Sequence, residues 1–332
     1  MEVGDEVPVA FDGGIDVLER LLRILPSSPS LDAIIVSFDI ETSGTKGHSL
    51  RPNRKEVKGV REVGFAVLDT RVMFSTEQES AQSLAKSESP TILTQQFSTS
   101  HASEDFEDCD ATDFKECIFS KTFYVAKDHL VATITRCFQF PEDAAHQDTT
   151  DDDGDKYNQP SPGLRTVVIV GHSPQRDLEI IRRLGVSIDR IVPVAAIVDT
   201  YRLSRHILGT ESPLNKGGHA PLQKHALSDV LTELGVPHNW HDLHNAGNDA
   251  TYTLHALILL AARWAEHNGE TAAAVGLCAF VEGELAVPRW TPVRKALGAH
   301  RAEEELRDPV KRLGSGLVAV ATSLRPSLRQ EK

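Results

Sequence analysis

Residues 33–41, AIIVSFDIE, carry the reading from which the fold follows. Their β-branched and aromatic content marks a strand. Side chains in a strand alternate between faces, so Ser37, Asp39 and Glu41 share one face while Val36, Phe38 and Ile40 share the other. Two carboxylates side by side at the end of a strand repel each other unless a cation lies between them. Taken alone the pattern is common: Glu41 can simply begin the loop ETSGTKG, with Asp39 capping it.

Outward from this strand, the chain alternates strand and helix signals. REVGFAVLD at 61–69 reads as a second strand, CIFSKTFYV at 117–125 as a third, RTVVIVG at 165–171 as a buried fourth and VPVAAIVDT at 192–200 as a fifth. Helical spacing occurs at 15–24, 126–138, 174–184 (with a proline near its first turn), around 220–234 and at 246–267. The pattern predicts an α/β domain, a mixed five-stranded sheet flanked by helices. The organisation expected is an N-terminal helical extension at 1–30, a main domain at 31–268 and a C-terminal helical or disordered appendage at 269–332.

Composition narrows the classes. With 332 residues, 40% hydrophobic and 25% charged, the chain is of ordinary globular make-up. No apolar run reaches the roughly 18 residues of a membrane helix, so no membrane partner is expected. The acidic start MEVGDEVPVAFDGG is unlike a signal peptide, and a cytoplasmic or nuclear location is expected. Four widely spaced cysteines, without a CxxC pair, argue against a disulfide framework or a cysteine zinc site. The net charge of −13 resides in two segments, 76–112 and 141–163, which hold 15 Asp/Glu and 2 Lys/Arg and leave 33 of each sign elsewhere. Poor in apolar residues and without period, both read as disordered acidic insertions, suited to a basic protein partner. The overall charge therefore excludes no nucleic-acid ligand.

Two further carboxylates stand out. On the helix 174–184, Asp177 has Ile180, Ile181 and Leu184 at i+3, i+4 and i+7, so it points along the apolar stripe. A charge there is costly unless paired or metal-bound, though Asp177 can also cap the helix. The string HNAGNDA opens the helix 246–267, with Asp249 beside the stripe and His244 five residues earlier. Here too a structural reading exists: His244 and Asn245 as caps and Asp249 answering the helix dipole. Brought together at the strand ends, Asp39, Glu41, Asp177 and Asp249 carry four negative charges, which two divalent cations neutralise. Oxygen ligands of this kind suit Mg²⁺ or Mn²⁺, and two such ions about 4 Å apart promote phosphodiester hydrolysis. An imidazole is the natural group to take a proton from water, a role open to His244.

The strings FDIET (38–42), VREVGFAVLDT (60–70), VIVGHSPQRDLEIIRRLGV (168–186), IVDTYRLSR (197–205), LSDVLTELGV (227–236) and HNAGNDATYTL (244–254) resemble, in order, those of the DEDDh exonucleases of the proofreading-subunit type. The form HNAGNDA is most similar to a fungal group carrying this domain. The resemblance implies a ribonuclease H-like fold, metal ligation by Asp39, Glu41, Asp177 and Asp249, His244 as general base, and 3′→5′ removal of nucleotides from RNA or single-stranded DNA. It also implies a structural role for Asp199. The long loop TSGTKGHSLRPNRKEVKG after Glu41 and the acidic insertions depart from compact members. A catalytically weak or inactive RNA-binding or partner-docking protein of the same fold is the alternative.

Four other features have two readings each. Arg51, Arg54, Lys55, Lys58 and Arg61 form a basic cluster that can track a phosphate backbone, or be a solvated loop or import patch. His238, His241 and His244 recur every three residues, as a zinc site or an ordinary polar loop. Trp240 can stack on a base or anchor a core. His172 can bond near the site or close its turn.

Overall fold

The computed structural model describes residues 14–25, 29–42, 59–75, 91–99, 117–142, 163–209 and 224–286. The first strand, β1 (Ile34–Thr42), runs antiparallel to β2 (Val60–Asp69), which pairs antiparallel with β3 (Leu93–Ser98). A short β4 (Thr122–Tyr124) adds to β3 in parallel. On its other side β1 pairs in parallel with β5 (Val167–Gly171), and β5 with β6 (Val194–Asp199), giving the order β4-β3-β2-β1-β5-β6. The helices are α1 (Ile15–Leu21), α2 (Thr70–Ser75), α3 (Lys127–Cys137), α4 (Gln175–Arg183), α5 (Ile188–Ile191), α6 (Thr200–Leu208), α7 (Leu227–Glu233), α8 (Ala246–His267) and α9 (Thr271–Ala286). The sheet is thus mixed and flanked by helices, as the sequence predicts, but six-stranded rather than five-stranded.

The additional strand, β3, lies inside the segment 76–112 predicted to be a disordered insertion, and that reading is corrected for residues 91–99. Its physical reason is composition. The buried residues of LTQQFS include Thr94, Gln96 and Ser98, so the strand buries hydroxyls and an amide where a sequence reading looks for alternating apolar residues. Of the predicted third strand, 117–125, only Thr122–Tyr124 is paired. Helix α6, not anticipated, starts at Asp199, whose carboxylate accepts the Tyr201 N–H at 3.0 Å. Apart from residues 91–99, 141–142 and 163, the two acidic insertions lie outside the described residues, as do residues 287–332.

The two faces of the sheet are built differently. On one, Phe38, Phe65, Phe97 and Phe138 form an edge-to-face and stacked aromatic cluster with centroids 5.5–6.4 Å apart. On the other, α8 packs across β1, β2, β3 and β5, with Ile35, Leu68, Val168 and Val198 against Leu254, Leu257 and Leu260. Helices α1 and α9 share this second core, held by Trp264 Nε1–H to Glu19 (2.8 Å) and by Glu284, which accepts the N–H groups of Thr91 and Ile92 at 2.7 and 3.0 Å. At the far end of the sheet Arg165 joins Asp32 and Asp69, and Thr70 Oγ1 donates to the Ala33 carbonyl at 2.9 Å.

Helix α8 reaches the sheet most closely at Gly64. A Cβ placed there would lie 2.0 Å from both the carbonyl carbon and the oxygen of Ala246, so only glycine fits. Gly64→Ala is therefore expected to lower stability by roughly 1–3 kcal/mol or more, as overpacking against backbone that cannot yield. Gly276→Ala in α9, where a Cβ would meet nothing within 4 Å, should be neutral or stabilising. Denaturant midpoints of the two variants against the parent measure this contrast; equal midpoints would remove the steric account.

Candidate active site

Across the antiparallel ladder, Asp39 opposes Gly64, and Gly64 opposes Gln96; Glu41 opposes Glu62, and Glu62 opposes Ser98. Directly opposed residues share a face, so two polar rows cross the α8 side of the sheet where its apolar core ends. The first turn of α8 is seated on them. Helix N-termini leave backbone N–H groups without intrahelical partners, and here side chains accept them in turn: Ala246 N–H to Glu62 (3.4 Å), Gly247 N–H to Gln96 (3.2 Å) and Asn248 N–H to the Asn245 cap (3.1 Å). Glu62 is fully buried, ion-paired with Arg61 at 3.2 Å, and its charge faces the positive end of the helix dipole. Asn248 extends the seat, accepting the Ile118 N–H at 2.9 Å and donating to the Asp242 carbonyl at 2.8 Å.

This seat fixes His244 and Asp249. His244 has φ +61°, the left-handed region that costs a non-glycine residue about 1–2 kcal/mol. Its N–H donates to the Asp249 carboxylate at 2.9 Å, tying the turn to the helix. Donor atoms of Glu41, His244 and Asp249 lie within 4.8 Å of one another, His244 exposed and the two carboxylates half-buried.

Asp39 and Asp177 face the same group. β1, β5 and β6 are parallel, so their carboxyl ends and the turns that follow share one edge, the usual ligand position in such sheets. At the end of β5, Gly171 packs so closely that a Cβ would sit 2.5 Å from Pro174, and Ser173, at φ +62°, donates its N–H to Asp199 at 2.9 Å. This turn sends α4 back beside β1: the Arg176 guanidinium lies 3.5 Å from Thr42 Oγ1. Burial pushes the Asp39 carboxyl well above the usual range, reinforced by the charges of Asp249, Asp177, Glu41 and Glu62. Burial likewise raises Asp177 to about 7, with Arg176 opposing and Glu41 adding to the shift.

The sequence-predicted residues Asp39, Glu41, Asp177, Asp249 and His244 are thus brought together. Oxygen donors that burial and mutual repulsion hold against ionisation fit a hard divalent cation. Asp199 stands apart, capping α6 and holding Ser173, and His172 bridges Thr200 Oγ1 (3.0 Å) and the His225 carbonyl (2.8 Å), closing its turn. Arg61 pairs with Glu62, while Arg51, Arg54, Lys55 and Lys58 lie outside the described residues. His238 bonds the carbonyl of Val236 at 2.9 Å. Trp240 is exposed rather than a core anchor. Glu62, Gly64, Gln96 and Asn248 were not singled out from sequence. The string REVG held a signal for two of them, since a glutamate and a glycine two residues apart occupy one face of an otherwise apolar strand.

The raised carboxyls set a pH dependence in the metal-free protein. A carboxyl that ionises near 3.8 unfolded and about 7 folded binds more protons in the folded state between those values. Its contribution is fully present below about pH 4 and is lost as pH rises through 7. Asp177→Asn is therefore expected to raise the melting temperature in chelator by roughly 2–8 °C at pH 8 and to have little effect at pH 4. Melts of parent and variant across pH measure it; a gain that is the same at both ends would remove the electrostatic cause.

The family model described as DNA polymerase III subunit epsilon-like, C-terminal domain, of the DEDDh group, matches residues 34–260. No curated protein matches the chain. The matched span runs from the first residue of β1 into α8 and contains each of the five converging side chains. Members of this group are exonucleases that use divalent metal ions, and the match covers well over half of the sequence: the chain belongs to the DEDDh exonuclease-like family.

Proposed function

We propose that this domain is a 3′→5′ exonuclease, hydrolysing the terminal phosphodiester bond of RNA or single-stranded DNA. The observation that carries the reading is the convergence of four carboxylates and one exposed imidazole at the carboxyl end of β1, within a family whose members are nucleases. Asp39, Glu41, Asp177 and Asp249 hold two Mg²⁺ or Mn²⁺ ions, which supply charge stabilisation at the phosphoryl oxygens. His244, exposed beside Glu41 and Asp249, takes the proton of the attacking water. Asn245, Glu62 and Gln96 hold the helix turn that carries both His244 and Asp249. The Arg176 guanidinium, exposed beside the end of β1, and the basic residues Arg51, Arg54, Lys55, Lys58 and Arg61 favour the approach of the phosphate backbone.

The test uses 5′-labelled single-stranded RNA and DNA with Mg²⁺ or Mn²⁺. A ladder shortening from the 3′ end is expected. His244→Ala should slow it about 10²–10⁴-fold, and Asp39→Ala should abolish it. Saturating Mn²⁺ should raise the melting temperature of the wild type and leave the Asp39→Ala variant nearly unchanged. Intact oligonucleotides under every condition would refute the enzyme reading and favour a binding module of the same fold.

A further inference from the structure

At 64% exposure, Trp240 is the most exposed large apolar side chain among the described residues. It does not hang on a loose segment. The turn at 239–242 is closed by Asp242 N–H to the Asn239 carbonyl (3.0 Å), His241 N–H to Asn239 Oδ1 (3.1 Å) and Asn239 Nδ2–H to Asp242 Oδ2 (2.9 Å). Asn248, from α8, donates to the Asp242 carbonyl at 2.8 Å, and Leu243 is buried. The indole thus stands on a braced turn, with its ring centroid 5.0 Å from that of His244 and the two planes at 73°. Donor atoms of that same His244 lie within 4.8 Å of Glu41 and Asp249.

We infer that Trp240 is the stacking platform for the base of the 3′-terminal nucleotide, and through it a specificity-determining residue for unpaired ends. The inference rests on the 3′-end reading above. A phosphodiester at the carboxylates places the terminal base within one nucleotide's reach of His244 and of the ring beside it. Every base presents a π-face, so stacking on an indole tolerates any sequence. It requires a base whose own face is free, which a single-stranded end supplies and a fully stacked duplex end does not.

The experiment is a binding cycle on an Asp39→Asn background, where cleavage does not deplete the ligand. Trp240 is kept, changed to Phe or changed to Ala, and single-stranded oligonucleotides carry either an ordinary or an abasic 3′-terminal nucleotide. Trp240→Ala should weaken binding of the ordinary end roughly 5- to 100-fold and of the abasic end less than about 2-fold. Trp240→Phe should keep most of the affinity, and melting temperatures should not move. Equal losses on both ends would mean that Trp240 merely braces His244, and no loss on either would mean that the base lies elsewhere; both overturn the inference, as does failure of the Trp240-containing parent to bind. The exonuclease reading fails separately, if the wild-type protein leaves the labelled oligonucleotides intact while the binding cycle holds.

Discussion

The seating of one helix end on one strand is the contact on which the site depends. Backbone of α8 approaches β2 to a distance that only the missing side chain of Gly64 permits. That closeness sets the first N–H groups of the helix directly against the sheet. The sheet must then supply acceptors of its own, and Glu62 and Gln96 do so. Because Gly64 pairs with Asp39 across the ladder, the same contact brings His244 and Asp249 alongside the first strand's carboxylates. Steric fit, hydrogen-bond satisfaction and the assembly of the charged group are one event in this fold.

The arrangement conflicts with the stability of the fold. Asp39 is pushed up by burial and by four neighbouring carboxylates, and Asp177 is raised to about 7. Grouping these acids on half-buried positions makes the metal-free site a place of repulsion, most severe at neutral and alkaline pH. The aromatic cluster on the opposite face and the α1–α8–α9 core offset that cost at a distance. Functional sites commonly show this division, in which strain is held by well-packed surroundings.

Much of this was legible in the sequence, and what was not shares a cause. Apolar strands such as β1 and β5 reveal themselves by content, and the five converging residues by their placement on otherwise apolar faces. β3 escaped because its buried side is Thr94, Gln96 and Ser98, and the first two find their partners on a helix some 150 positions later: Thr94 bonds Thr251 at 2.8 Å, and Gln96 bonds Gly247. Polar residues buried by long-range partners look like loop residues in any local window. The helix α6 escaped because its cap, Asp199, also ends a strand, and so offered no gap in which to see a boundary.

The backbone of His244 shows why the charged group depends on its polar supports. A histidine at φ +61° is held out of its preferred conformation, and on a free loop it would relax. Three constraints prevent this: its N–H is bound to Asp249, the next residue caps α8, and the turn before it is braced by Asn239 and Asn248. The bonds to Asp249, Asn245 and Asn248 end on groups that also serve the carboxylate cluster or the helix seat, while Asn239 braces the turn alone. Together they hold the imidazole in its place beside Glu41, and of these supports only Asp249 is also a member of the carboxylate cluster. A fold that commits a buried glutamate, a glutamine and two asparagines to holding one strained histidine is organised around where that histidine stands.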